Sequence, residues 1–478
     1  MRPLSPDLEV LAGLLAAVPE LRPGLRDPGG LVAACTVEGG ALRLDMAALG
    51  GAEVLADVVT AARAEGLEVA VSGDLLELRG AVSGDWAAEA LAVRREPRGK
   101  AVVEISSAYP TAPLGLWDIR LAVISDSVAE MLLQDGWAVT REYFSNDAGQ
   151  QVATMARSVY ACAAGYVPRD TPGLPAYVFE LADALKAEHG DSLFGKDEAE
   201  WLPVVRDFAV DGVSTWIRDD LRELDIDINN WVSERALWQA RDLDALVEDI
   251  GARLTAAQDP EGELAAMVPL LRDGAGRPTY LAADIGYHLN KIARGFTYMV
   301  DLFREDHSVF RHRLQSAVDA LAPEAFTLAV RLVTTADDES LAFFGEVADP
   351  DADADIVDVV AVYGIAPVRM WALLPGVPVD EVNGFLPALN ALRARCKAAP
   401  EAGLPETDGD IAQLVLVWPL LRRVALDILR PEVLADVMRR LVNRADAIPE
   451  GLLRPVGVLL EDIVVLLGLG DLPELALD

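Results

Sequence analysis

Residues 101–160 decide the fold; they read AVVEISSAYPTAPLGLWDIRLAVISDSVAEMLLQDGWAVTREYFSNDAGQQVATMARSVY. An apolar strand at 101–105 leads into a proline-rich turn at 109–113. Apolar residues then recur at three- and four-residue steps over 118–134, which predicts a helix, and a second short strand is predicted at 138–140. Strand, turn, helix and strand in this order are the opening unit of a doubly wound, nucleotide-binding sheet.

This stretch resembles the start of the catalytic domain of bacterial arginyl-tRNA synthetases. VVEISSAYPTAPL at 102–114 is similar to the family's VVE-x-S-A-N-P-T-G-P-L, and REYFSNDAGQQ at 141–151 is similar to its R-E-Y-x-N-D-A-G-N-Q. The region 271–307 contains PTYLAADIGYH, KIARGF and DH, which resemble the family's P-T-Y-L-x-x-D-I-A-Y-H, K-x-x-R-G-F and the end of G-A-D-H. The resemblance implies an α/β Rossmann-like class I synthetase core with a helical insertion, an N-terminal α+β domain and a C-terminal all-α anticodon-binding-type bundle.

We expect the 478 residues to divide into three parts. Residues 1–95 are interpreted as the N-terminal add-on-like α+β domain. The Rossmann-like core is assigned to 96–372, with its helical insertion at about 155–235. The helical anticodon-binding-like (DALR-type) domain is assigned to 373–478. Within these parts the apolar patterns predict helices at 7–19, 52–65, 178–188, 199–211, 216–224, 385–398, 411–429, 431–445 and 453–467, strands at 32–36 and 42–45, and a hairpin at 67–78.

The catalytic signature of the family is altered. Where the family has H-x-G-H, this chain has Gly115, Leu116, Trp117 and Asp118. By the resemblance, both imidazoles and the glycine that lets adenine approach are replaced, and Asp118 would repel a phosphate about 4 Å away by about 4 kcal/mol. The family's lysine-containing KMSKR loop corresponds to 335–355, a stretch without lysine. These positions predict that the chain has no catalytic residue for adenylate formation.

The residues that hold arginine in the family are partly retained. By the resemblance, Glu104, Tyr280 and Asp284 match by position, while Tyr109 replaces an asparagine and Arg331 replaces a glutamine. A guanidinium favours a planar carboxylate partner, which Asp284 could supply. One hypothesis is that Arg331 places its own guanidinium against Asp284 or Glu104 and closes the pocket. The alternatives are a structural hydrogen-bonding pair of Glu104 and Asp284, and a working arginine site.

Five arginines on the C-terminal helices are the candidate RNA-binding residues: Arg422, Arg423, Arg430, Arg439 and Arg440. They fit either solvated helical faces or a remnant tRNA-binding patch. The net charge of −36 disfavours electrostatic attraction of nucleic acid by the protein as a whole. Binding of tRNA would therefore require a local basic patch.

Neither a metal nor a membrane is expected as a partner. Cys35, Cys162 and Cys396 lie far apart without CxxC spacing, which argues against zinc and disulfides and fits a reducing cytoplasm. His288 and His307 are interpreted as hydrogen-bonded residues at strand ends, because no ligand cluster at a familiar spacing accompanies them. No run of about 20 apolar residues predicts a membrane span.

The favoured function is that of an arginyl-tRNA synthetase-like protein that has lost aminoacylation. It would act without a cofactor as a non-catalytic tRNA- or protein-binding regulatory factor. One alternative is an active arginine–tRNA ligase, which would need ATP. A second is a sensor of arginine or a related small molecule that uses the old amino-acid pocket.

Overall fold

The structure is a computed structural model that describes residues 11, 14–16, 18, 28–38, 41–78, 97–169, 171, 173–239, 242–257, 262–304, 307–322, 326–333, 356–374, 377, 379–400 and 410–469. The chain forms two compact units. One contains Gly99–Ala129 and Trp137–Val368, and the other contains Met1–Arg98, Glu130–Gly136 and Arg369–Asp478. Most of the helix predicted at 7–19, and all of 335–355, lie outside the described residues.

Between residues 28 and 78, the described part of the N-terminal segment contains a small antiparallel sheet and two α-helices. Its elements are α1 (Pro28–Ala34), β1 (Cys35–Glu38), β2 (Ala41–Asp45), α2 (Leu55–Ala64), β3 (Val69–Ser72) and β4 (Leu75–Leu78). The strands lie in the order β1-β2-β4-β3. The predicted hairpin at 67–78 is confirmed, and Gly73 supplies the positive φ of 62° that its turn requires. The strand predicted at 32–36 is wrong at its start, because residues 32–34 belong to α1.

Parallel strands and helices alternate through the middle of the chain. The strands are β5 (Gly99–Glu104), β6 (Trp137–Ser145), β7 (Asn230–Ser233), β8 (Tyr298–Arg304) and β9 (Thr327–Val333). The helices are α3 (Leu116–Gln134), α4 (Gln150–Ala163), α5 (Ala176–His189), α6 (Glu198–Glu223), α7 (Glu234–Gln239), α8 (Leu243–Ala256), α9 (Glu263–Met267), α10 (Tyr280–Ala293), α11 (Ser308–Leu321) and α12 (Ile356–Tyr363).

The five strands form one entirely parallel sheet in the order β7-β6-β5-β8-β9. Ala101, Val102 and Val103 of β5 are fully buried, as expected for a central strand covered on both faces. From β5 the chain runs outward through β6 to β7 and then returns to β8, on the other side of β5. This reversal creates a switch point between β5 and β8, and in such sheets ligands bind at the carboxyl ends of the strands there. The predicted α/β Rossmann-like core is confirmed.

The helices at 199–211 and 216–224 were predicted as two but are one, α6. The apparent break contains Gly212, which does not end the helix. A Cβ at Gly212 would lie only 2.6 Å from Cδ2 of Leu181 on α5. The glycine therefore allows two helices to pack closely.

The described residues of the C-terminal part form the α-helices α13 (Ile365–Leu373), α14 (Val379–Ala398), α15 (Asp410–Asp427), α16 (Pro431–Asn443) and α17 (Leu453–Leu466). The helices predicted over 385–398, 411–429, 431–445 and 453–467 are confirmed as α14 to α17. Within the described residues, none of the helices combines the length and apolar character that crossing a bilayer requires.

Candidate functional site

The loop after β5 lies at the switch point in a strained conformation. Ser106 and Ser107 both have positive φ, at 59° and 52°, and strain of this kind costs about 1–3 kcal/mol per residue. The backbone N–H of Phe144 donates to Ser107 Oγ (3.1 Å), and Asn146 Nδ2 donates to the Ser107 carbonyl (3.3 Å). These bonds to β6 and its following loop hold the strained segment in place.

A buried cluster of charges lies directly beneath this loop. Lys291 of α10 donates from Nζ to Glu104 Oε2 (2.7 Å), at the end of β5, and to Asp301 Oδ1 (3.3 Å), on β8. His288, also on α10, is bonded through Nε2 to Asp301 Oδ2 (2.5 Å) and through Nδ1 to the Asp284 carbonyl (2.8 Å). His288 and Lys291 are fully buried. Lys291 therefore joins the two strands at the switch point, and His288 links Asp301 of β8 to α10.

Burial and charge act in opposite directions on the pKa values of this cluster. Burial lowers the pKa of His288, but the adjacent Asp301 outweighs it and brings that pKa to about 10. Burial would raise the pKa of Asp301, yet Lys291 and His288 hold it well below its usual range. Burial raises the pKa of Glu104 to about 7, with Lys291 opposing the shift. Asp301 is therefore a carboxylate beside two cations, while Glu104 titrates near neutral pH.

Glu104, His288 and Asp301 also satisfy a distance criterion for a metal site. Among the described residues, one ligand atom from each lies within 4.8 Å of the others. The Lys291 ammonium already lies between the two carboxylates, and a metal-ligating histidine must be neutral. The donor set suits the lysine better than a divalent ion. His288 lies on α10, so its predicted position at a strand end is wrong.

A second charged cluster joins α10 to β6. Glu142 is fully buried and accepts two bonds from Arg294 (2.5 and 2.7 Å). It also accepts from Tyr287 Oη (2.6 Å) and from Asn230 Nδ2 (2.6 Å). The donors come from α10 with its C-cap residue Arg294 and from Asn230 of β7, so Glu142 is a structural anchor that joins both to β6. The sequence pattern did not identify Glu142 as a structural or functional residue.

Four of the predicted arginine-pocket residues lie close together around the charged cluster. The rings of Tyr109 and Tyr280 are 6.3 Å apart. Asp284 is 3% exposed, and its Oδ1 lies 3.4 Å from Nδ1 of His288. Its other oxygen, Oδ2, has no hydrogen-bond partner among the described residues. A buried carboxylate oxygen without a donor is costly, which points to a cationic or hydrogen-donating ligand.

Glu234, which the sequence reading did not single out as a site residue, belongs to the same site. Burial raises its pKa to about 7. The charges of Glu234 and Asp284 add to burial in raising the pKa of Tyr109, so the three groups are close. We call Glu104, Tyr109, Glu234, Tyr280 and Asp284 the acidic pocket.

Arg331 lies on β9, 7% exposed. The cation bonded to Glu104 is Lys291, and the ring nitrogen beside Asp284 belongs to His288. Lys291 is thus a built-in cation beside Glu104, and His288 is a basic neighbour of Asp284. The placement of the Arg331 guanidinium against Asp284 or Glu104, and the structural pairing of Glu104 with Asp284, stay hypotheses.

The altered signature segment begins α3. Gly115 is exposed, and Leu116 is the first helical residue. The N–H of Gly115 donates to Asp118 Oδ2 (3.0 Å), and the N–H of Asp118 donates to the Gly115 carbonyl (2.9 Å). The carboxylate bond corresponds to one half of a capping box, in which the acid three residues on accepts from the N-cap amide, while Gly115 has no side chain to form the other half. Burial raises the pKa of Asp118, opposed by the Gly115 bond and by the charge of Arg304.

Trp117 contacts the end of β8. The guanidinium carbon of Arg304 lies 5.3 Å from the centre of the Trp117 ring, within cation–π distance. Trp117 Nε1 is buried and has no hydrogen-bond partner among the described residues. The first turn of α3 and the last residue of β8 thus meet through these two side chains.

Four of the candidate RNA-binding arginines form ion pairs with carboxylates. The pairs are Arg422 with Asp462, Arg423 with Asp135 and Asp427, Arg439 with Asp436, and Arg440 with Asp436. Arg430 immediately precedes α16. Arg423 and its partner Asp135 are largely buried, and Asp135 also binds Arg98 (3.0 Å). Much of this positive charge is therefore used in packing, and a tRNA patch here remains a prediction.

Sequence comparison relates the chain to arginine–tRNA ligases, although no family profile matches it. It is 36% identical over 262 residues to the enzyme of Cereibacter sphaeroides, covering 49% of this chain and 45% of that one. With the enzyme of Paracoccus denitrificans it is 36% identical over 307 residues, covering 56% and 52%. The chain thus spans about half the length of the curated relatives it matches.

Solved structures show the same fold. A protein assigned as an arginyl-tRNA synthetase in Campylobacter jejuni matches with a TM-score of 0.63 and 21% identity, over 81% of this chain and 97% of that one. The arginyl-tRNA synthetase of Thermus thermophilus matches with a TM-score of 0.56 and 16% identity, over 92% and 95%. The chain therefore has an arginyl-tRNA synthetase-like fold, with a parallel α/β core and many helices.

Proposed function

We propose that this arginyl-tRNA synthetase-like protein does not form arginyl-adenylate and acts without a cofactor as a non-catalytic binding factor. The observation that carries the proposal is the use of Asp118 to cap α3 through Gly115. Adenylate formation places extra negative charge on a phosphate, which enzymes stabilise with positioned donors or cations. A carboxylate at this place has the opposite effect, about 4 kcal/mol of repulsion at about 4 Å and an effective dielectric near 20.

ATP–pyrophosphate exchange is expected to stay at background with arginine, ATP, magnesium and tRNA all present. Each missing donor costs a factor of about 10²–10³ on the oxyanion-hole scale, and two imidazole positions are altered. The ligase of Paracoccus denitrificans, assayed in parallel, is the positive control. Arginine-dependent exchange by this chain would instead establish the active ligase.

The partner of such a factor is proposed to be tRNA or a protein. The relatives are named as tRNA ligases, which supports tRNA. The ion pairs of Arg422 and Arg423 and the net charge of −36 favour a protein. A filter-binding titration with tRNA at low salt separates the two, because phosphate contacts weaken steeply as salt is added.

A second candidate function is the binding of arginine or a related guanidinium compound. It is favoured by the unpartnered Oδ2 of buried Asp284 in the acidic pocket. A guanidinium supplies several N–H donors in a fixed planar arrangement, and this suits a carboxylate oxygen that lacks one. Such binding would make the protein a sensor of the amino acid.

If arginine binds, its affinity is expected to increase as the pH rises from 6 to 8. Glu104 and Glu234 have pKa values raised to about 7, so they are protonated at the lower pH and become carboxylates that attract the cation at the higher pH. The Asp284→Asn substitution should weaken binding at least about tenfold, since charged hydrogen bonds contribute about 1.5–3 kcal/mol. Isothermal titration calorimetry measures both effects.

Two controls make this experiment specific. Citrulline has nearly the shape of arginine without its charge and should bind at least about tenfold more weakly. Asp219→Asn removes an exposed carboxylate of α6 that pairs with Arg222 on the same helix, and it should leave the affinity unchanged. Equal affinities for citrulline and arginine would rule out the guanidinium site.

A further inference from the structure

We propose that Trp117 and Arg304 determine the ligand specificity of the switch-point crevice. Together they fill the space that an adenine nucleotide would need, so that the crevice accepts a small cationic ligand and no nucleotide. This inference rests on the proposed non-catalytic function and names the residues that exclude the cosubstrate.

The positions of the two residues come from the topology of the sheet. β5 and β8 are parallel neighbours, with Ala101 opposite Tyr298 and Val103 opposite Val300. Trp117 lies in the first turn of the helix that follows β5, and Arg304 is the last residue of β8. Their side chains therefore approach each other from the two sides of the crevice, at the carboxyl ends of the strands.

Nucleotide-binding sheets of this class have glycines in the turn after the first strand, because the backbone must approach the ligand closely. In this chain an indole lies at the start of the helix, and a guanidinium covers its ring at 5.3 Å. The ring face on which a base would stack is thus occupied by Arg304. The buried Nε1 of Trp117 makes no hydrogen bond among the described residues, so the ring contributes volume and apolar contact more than polar recognition.

Charge reinforces this steric exclusion. Asp118 follows Trp117 directly, and its carboxylate is bonded to the Gly115 amide beside the same crevice. It would repel phosphates, whereas Trp117 and Arg304 obstruct the base and ribose. The acidic pocket, by contrast, attracts a positively charged group. The two effects on nucleotides are separable, because adenosine has the base and ribose without the phosphates.

The test compares adenosine and ATP binding to the full chain and to the variants Arg304→Gly, Trp117→Gly and the double variant. We expect the double variant to bind adenosine at least tenfold more tightly than the unmodified protein, and to gain less for ATP because Asp118 remains. Arg304→Gly alone should gain at least threefold. Arg169→Ala removes an exposed arginine over Phe179 (5.7 Å) and is the matched control, with no expected change.

Adenosine affinity that is equal in the unmodified protein and in a folded double variant would overturn the inference, with folding checked by circular dichroism. If the double variant does not fold, Arg304→Gly decides the question, since its side chain is exposed, and an unchanged affinity there also overturns the inference. Pyrophosphate exchange by the unmodified protein would overturn the proposed function. If the unmodified protein shows no pyrophosphate exchange but binds adenosine tightly, the proposed function stands, and only the exclusion of nucleotides by Trp117 and Arg304 is overturned.

Discussion

Replacing Lys291 with methionine is expected to lower the free energy of unfolding by about 3–5 kcal/mol. The ammonium lies 2.7 Å from Glu104 and 3.3 Å from Asp301 and is fully buried. Methionine fills a similar volume but leaves two buried carboxylates without that cation, and breaking one side of a buried ion pair costs far more than losing the attraction alone. Urea denaturation followed by circular dichroism measures the change.

Lys397→Met is the matched control, because this lysine is exposed in the last turn of α14. It should change the unfolding free energy by less than about 0.5 kcal/mol. If both substitutions had the same small effect, Lys291 could not be the cation that holds β5 and β8 together.

Glu142→Ala should lower the unfolding free energy by about 3 kcal/mol, near the lower end for a broken buried pair. The substitution removes the acceptor for Arg294, Tyr287 and Asn230 at once. The Arg294 side chain is 30% exposed, so water can solvate part of the charge left behind. Denaturation in urea again provides the measurement.

The control for Glu142 is Glu198→Ala, which breaks an ion pair with Arg157 in which both side chains are well exposed. Exposed pairs contribute about 0–1 kcal/mol, so this variant should unfold almost as the unmodified protein does. Similar losses for the two variants would show that burial adds nothing to the Glu142 network.

The central strand β5 could be predicted because its residues Ala101, Val102 and Val103 are apolar and fully buried. The strands β7, β8 and β9 were not predicted from local pattern, and β6 contains the polar residues Thr140, Arg141 and Glu142. The strand β5, the helix α3 and the strand β6 lie where the pattern at 101–160 predicts them, although β6 extends to Ser145. The local sequence pattern gave a wrong secondary structure where tertiary packing decides between a helix and a strand. Leu31 and Ala34 are buried in α1, in an apolar stretch equally compatible with a strand.

Several residues of the candidate site could be predicted from the sequence, but the side-chain contacts between them could not. Resemblance marked Glu104 and Asp284, and the structure places them around one charged cluster. It did not mark Lys291 as the partner of Glu104, because their contact joins residues far apart in the chain. The unpartnered oxygen of Asp284 is likewise a property of three-dimensional packing that no spacing of residues reveals.

The position of β8 beside β5 also has a consequence for synthesis on the ribosome. β5 can pair with β6 soon after both strands leave the ribosome. Its other edge stays unpaired until β8 (Tyr298–Arg304) has been synthesised. At about 5–20 residues per second, roughly 200 further residues take about 10–40 s. During that interval an apolar strand has an open edge, which is a template for wrong pairing. We therefore expect the nascent chain to need chaperone protection of β5 during this interval.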